Sequence, residues 1–201
     1  MVRRRRGRPG PEEPERPDVE QQAAADPEAV ARTIVLQQLT AGPRTRGQLA
    51  GVLARKGVPE QAALDVLDRF GELGLVDDAA FSRGWVSSRH EGRGLARGAL
   101  ARELRQRGVD EPTISEALGD LDGVRELETA RRLVAKKLPS TRGAPREARF
   151  RRLAGMLARK GYPPGMCAQV VADALRNEGT EVHVVVGSDE DLYRMDALDA
   201  D

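Results

Sequence analysis

Of the side chains able to do chemistry, only the basic ones recur densely enough in this 201-residue sequence to build a surface: 33 Lys and Arg stand against 32 Asp and Glu. Arg83, Arg89, Arg93, Arg97, Arg102 and Arg105 form one basic stretch, and Arg131, Arg132, Lys136, Lys137, Arg146, Arg149, Arg151 and Arg152 form another. Cations sharing a face hold phosphates or an acidic protein groove, with an affinity that falls as salt rises. The candidate partner contacts are Arg83, Arg89, Arg93, Arg97, Arg102, Arg131, Arg132, Lys136, Lys137, Arg149 and Arg152. On charge alone, a solvated face on helices explains them equally well.

Other chemistries have weaker support. His90, His183 and Cys167 are too few and too scattered for a zinc site, so no metal or cofactor is expected. Carboxylates are plentiful, but no pair is marked by an apolar setting or a neighbouring His as a general acid and base, which argues against an enzyme. Gly92, Gly94 and Gly98 superficially resemble a phosphate loop, yet no strand precedes them and no Gly-Lys-Ser/Thr follows; a flexible helix connection is the better reading. Phe81 and Trp85, four apart, are expected in the core rather than on a base-stacking platform, and Cys167 reads as a small core residue.

Charge is unevenly distributed along the chain. Residues 1–27 hold six basic and six acidic groups among several prolines and read as a disordered arm. Residues 179–201 read as an acidic tail, with one short extended piece expected at Val182–Val186. Residues 28–179 hold 26 basic and 19 acidic groups, and residues 125–160 alone hold twelve and three. A single cysteine and the lack of an N-terminal apolar stretch point to a reducing cytoplasm, with no membrane association.

The elements that must position these cations come from an internal repeat. Leu49–Val58 reads LAGVLARKGV, Leu100–Val109 reads LARELRQRGV and Leu153–Tyr162 reads LAGMLARKGY. Each segment has leucines four apart, then a cation, a glycine and an apolar residue, the pattern of a helix stopped by a left-handed glycine with the next side chain folded back. A second helix follows each stop, its core face at Val66/Leu67/Phe70, Ala117/Leu118/Leu121 and Val170/Val171/Ala174. A preceding helix completes each unit through Val30/Ile34, Phe81/Trp85 and Ala130/Val134. The prediction is an all-α chain of three tandem three-helix repeats over residues 28–76, 77–123 and 124–178, forming an elongated, curved array. Leu49–Val76 would also suit a winged helix, but the chain runs on into Asp77-Asp78-Ala79-Ala80-Phe81, a helix start rather than a β-hairpin.

The run Gly74-Leu75-Val76-Asp77-Asp78-Ala79-Ala80-Phe81-Ser82-Arg83-Gly84-Trp85-Val86-Ser87-Ser88-Arg89, followed by Gly94, Leu100, Glu103-Leu104 and Gly108-Val109, resembles the central signature of the RecX family. The resemblance spans Glu28 to Asn177 and includes Lys136-Lys137 and Arg159-Lys160-Gly161-Tyr162. It implies a regulator that binds the RecA recombinase, lies in the groove of its filament on single-stranded DNA and limits filament extension; a monomer is expected. Suppressed ATP hydrolysis, strand exchange and SOS co-protease activity would follow, with DNA contacts weak and indifferent to sequence. The alternative is a tandem helix-turn-helix transcriptional regulator with a preferred duplex site. The Arg-rich arm and acidic tail lie outside the family pattern.

Overall fold

A computed structural model describes residues 26 to 185; the N-terminal arm up to Ala25 and the tail from Val186 lie outside the described residues. All regular structure among them is helical: α1 (Pro27–Thr40), α2 (Arg46–Arg55), α3 (Glu60–Glu72), α4 (Asp78–Arg93), α5 (Arg97–Arg105), α6 (Glu111–Gly119), α7 (Gly123–Lys137), a 3-10 turn (Leu138–Thr141), α8 (Arg146–Arg159) and α9 (Pro164–Val185). These helices belong to two compact units, one ending at Val76 and the other beginning at Asp77.

In the first unit, Asp26 accepts the Ala29 N–H to cap α1, with Pro27 in its first turn, where the missing donor costs nothing. Thr45 and Gln48 cap α2 reciprocally, the Thr45 hydroxyl accepting the Gln48 N–H (3.1 Å) and the Gln48 amide oxygen accepting the Thr45 N–H (3.2 Å). Helices α1, α2 and α3 close on Ile34, Val35, Leu49, Leu53, Val66, Leu67 and Phe70. Val30 lies at the edge of that core, only partly buried.

The second unit holds the other two repeats. Its α4 packs on α5 and α6 around Val86, Leu100, Leu104, Ile114, Leu118 and Leu121, while α9 packs on α7 and α8 around Ala130, Val134, Leu153, Leu157, Val170 and Val171. Each fully buried leucine, valine, isoleucine or phenylalanine contributes roughly 1.5–3 kcal/mol, so these side chains supply the main apolar stabilisation of each three-helix set.

The helix stops follow the repeat. Gly57, Gly108 and Gly161 take φ of 74°, 78° and 89°, and the N–H of Val58, Val109 and Tyr162 returns to the carbonyl of Leu53, Leu104 and Leu157 at 3.2, 3.2 and 3.3 Å. That is the glycine-ended helix read from the sequence, and all three returning side chains are buried.

Two details differ from the sequence reading. The residues of Val182–Val186 that the structure describes continue α9 through Val185 instead of forming an extended piece; a lone strand has no partner for its backbone groups, whereas a helix satisfies its own. On α4 the buried residues are Ser82, Val86 and His90, and Phe81 and Trp85 sit half-buried at the margin of that core.

Candidate functional site

Charge separates by unit. The described residues of the first unit, 26–76, carry six basic and six acidic groups, whereas residues 77–178 carry twenty basic and fourteen acidic. On α7 the core takes Glu126, Thr129, Ala130 and Val134; Arg131 and Arg132 are exposed away from that face, and Lys136 and Lys137 are exposed in the last turn, past Val134, the last buried residue of the helix. Arg152 is likewise exposed on α8, opposite the buried Leu153 and Leu157. Of these five, only Arg132 makes a side-chain hydrogen bond, to the Thr129 hydroxyl at 3.3 Å, and none makes an ion pair among the described residues. Arg131 also borders a groove of about 370 Å³ between α7 and α9, lined by Leu138, Val170 and Ala174. These five are exposed cations without a carboxylate partner among the described residues.

The remaining candidates are distributed differently. Arg93 and Arg102 are exposed, and Arg83 is exposed with Glu116 4.0 Å away. Arg89 is half-buried: its Nε lies 3.9 Å from Glu103, and its guanidinium carbon lies 4.1 Å from the centre of the Trp85 ring. Arg107, read from the sequence only as the cation in the last turn before Gly108, also lies over that ring at 3.7 Å. The Trp85 indole N–H donates to Glu103 (2.8 Å) and Phe81 stacks beside it at 5.7 Å, so the indole is already occupied by its own chain. The weak signal in the sequence was Trp85 four residues before Arg89; Arg107 could be brought there only by the packing of α5 on α4.

Arg97 and Arg149 are turned inward. The Arg97 guanidinium donates to the carbonyls of Leu118 (2.7 Å) and Leu121 (2.6 Å), closing the open end of α6. Its backbone N–H donates to the buried carboxylate of Glu126 (2.7 Å), which caps α5 from another helix because Ala96 has no side chain able to do so. Arg149 donates to the Thr141 hydroxyl (3.0 Å) and pairs with Glu178, which Arg142 also contacts. The hydrogen bonds from Arg142 and Arg149 hold the Glu178 carboxyl below its ordinary range.

The glycine-rich turn after α4 is a packed seam between the second and third repeats, not a flexible connection. Gly94 ends α4 with φ 62°, the Ala96 N–H donates to the Lys160 carbonyl (2.9 Å), and the Lys160 ammonium donates to the Arg93 carbonyl. A Cβ on Gly98 would stand 2.8 Å from the Gly161 oxygen, and one on Gly161 would stand 2.2 Å from the Ala99 nitrogen. His90 spans the same seam, its Nδ1–H donating to the Leu95 carbonyl (2.9 Å) and its Nε2 lying 3.1 Å from the Thr129 hydroxyl. The Tyr162 hydroxyl donates to the Gly94 carbonyl (3.2 Å), and burial, reinforced by Glu126, pushes its pKa up to about 12. Cys167 lies in this core, 3.5 Å from the Tyr162 carbonyl, and burial pushes its thiol up, away from the thiolate a nucleophile needs.

The described residues form a tandem helical protein of three-helix units, one helix of each stopping at a glycine, with the excess of cations in the second unit. Residues 31–70, 77–118 and 125–171 match the first, second and third three-helix domains of RecX. The chain is 57% identical over 156 residues to the regulatory protein RecX of Streptomyces lividans, covering 78% of this chain and 83% of that one. It is 54% identical over 160 residues to that of Thermobifida fusca (80% and 86% covered) and 45% identical over 169 residues to that of Mycolicibacterium smegmatis (81% and 89%). A crystal structure of regulatory protein RecX superposes with TM-score 0.66 at 26% identity, covering 78% of each chain. RecX from Lactobacillus salivarius shares the fold at TM-score 0.67 and 16% identity, with 74% of this chain and 97% of that one covered. The chain belongs to the RecX family of regulatory proteins.

Proposed function

We propose that this protein regulates the RecA recombinase in the cytoplasm by binding its filament on single-stranded DNA, lying in the filament groove and limiting extension. Lower ATP hydrolysis, strand exchange and SOS co-protease activity are the consequences. The observation that carries the reading is that Arg131, Arg132, Lys136 and Lys137 on α7 and Arg152 on α8 are five exposed cations with no carboxylate partner among the described residues, on a member of this family. Such a surface suits the acidic groove of a protein polymer or the phosphates within it, and several weak contacts along a repeating partner reinforce one another through effective concentration. Arg83, Arg93 and Arg102 extend the basic surface in the same unit, while Arg97 and Arg149 serve the fold.

The test is single-strand-dependent ATP hydrolysis by the cognate recombinase, with this protein titrated from far below equimolar. A charge reversal at Arg131, Arg132 and Lys136 runs beside it, leaving Arg149 untouched because reversing that residue would break its pair with Glu178. Inhibition at low stoichiometry, weakened by the reversal, is the expected result. No effect on hydrolysis or filament length, with tight binding to a particular duplex, would replace this reading with a DNA-binding regulator.

A further inference from the structure

The segments Leu49–Val58 and Leu153–Tyr162 are identical at eight of ten positions, and the core accounts for only part of that identity. Leu49, Leu53, Leu153 and Leu157 are buried, and Gly57 and Gly161 need their positive φ. Neither demand reaches Gly51 and Gly155, nor the exposed Ala54, Arg55, Ala158 and Arg159. Complementing the helix dipole does not explain the arginines either, since Lys56 and Lys160 already place a cation at each helix end. The second repeat has Gln106 in the arginine's position and Arg102 in the glycine's, so the repeat can be built without the device.

The side-chain geometry is duplicated along with the sequence. Nη1 of Arg55 lies 3.5 Å from where a Cβ on Gly51 would stand, and Nη1 of Arg159 lies 3.5 Å from the same point on Gly155. Each guanidinium is laid along its own helix over a residue without a side chain, beside an exposed alanine. Among the described residues, neither arginine makes an ion pair or a side-chain hydrogen bond. Two exposed forks with free donors are thus presented in the same way on two helices, each a planar donor set that matches a carboxylate.

We propose that Arg55 and Arg159 are two copies of one docking element, each seating a carboxylate at an equivalent site on two subunits of a repeating protein partner. This rests on the filament reading above and names residues for it. A polymer of identical subunits is the partner that offers one acceptor site twice, and a guanidinium fork matches a carboxylate in bidentate geometry. The floor of glycine and alanine favours a protein over a phosphodiester strand: small residues let another backbone come close to the helix, whereas a strand reached by long side chains needs no such floor.

The experiment measures binding of the full chain to the recombinase filament on single-stranded DNA, and separately to bare single-stranded DNA. Arg55→Ala and Arg159→Ala should each weaken filament binding about tenfold and the double variant about a hundredfold, as for two equal charge-assisted contacts, with binding to bare DNA unchanged. Gly51→Glu and Gly155→Glu offer each arginine an intrahelical carboxylate four residues away and should reproduce the loss; replacing glycine inside a helix does not endanger the fold. A loss at only one arginine, or none while the wild type still binds, overturns the inference and leaves the filament reading standing. An equal loss on bare DNA would make the element a phosphate contact and also overturns it. Failure of the wild-type chain to bind the filament removes the filament reading itself.

Discussion

Replacing Gly161 by alanine should destabilise the second unit by about 4 kcal/mol, as judged from the energies of strained backbone and lost buried hydrogen bonds. Part of this is local: a side chain at φ 89° costs roughly 1–2 kcal/mol. The larger part is steric, because the new methyl group would stand 2.2 Å from the Ala99 nitrogen and 2.7 Å from its Cβ, atoms of the chain itself that cannot swing away. Opening the seam to make room stretches the Ala96 N–H bond to Lys160 and the Tyr162 hydroxyl bond to Gly94, at about 1 kcal/mol each. Gly57 is the internal control: its φ is 74° and nothing lies within 4 Å of its Cβ direction, so Gly57→Ala should cost only the local strain, roughly 1–2 kcal/mol. Urea denaturation of both variants, with hydrogen exchange at the Ala96 amide, measures the difference. Equal losses for the two glycines, with Ala96 still protected in Gly161→Ala, would refute the close approach of the two repeats.

Three further outcomes test the same unit. Glu126→Ala should cost about 1–2 kcal/mol in thermal unfolding, the magnitude of a lost helix cap, and Glu126→Gln should recover most of it by keeping an acceptor for the Arg97 N–H. Glu178 has a lowered pKa in the fold, so its contribution is full above its ordinary value near 4.5 and is lost as pH falls through the lower folded value. The stability gap between the wild type and Glu178→Gln should therefore be widest near neutral pH and close in acid, and a gap independent of pH would count against the pairing with Arg142 and Arg149. In an alkaline absorbance titration, Tyr162→Phe should remove a tyrosine step near pH 12, and persistence of that step would show that the hydroxyl is not the buried donor to Gly94.

Much of this protein was determined by local sequence. Leucines four apart followed by a cation, glycine and an apolar residue specify where each helix stops, because the glycine conformation and the returning side chain lie within one turn of the helix they end. The family signature around Trp85 and the basic bias of residues 125–160 are likewise written in residue order, and with them the expectation of a helical, cation-rich binding protein. Tertiary structure decided which cations are available. Arg97 and Arg131 look alike in the sequence, yet one is spent on the carbonyls of Leu118 and Leu121 while the other faces outward from α7. Arg107 was brought over Trp85, and Gly94, Gly98 and Gly161 became a seam instead of a hinge, through contacts between residues as far as 68 positions apart in the chain. A guanidinium takes whichever acceptor packing brings within reach, and no periodicity along a single chain encodes that distance.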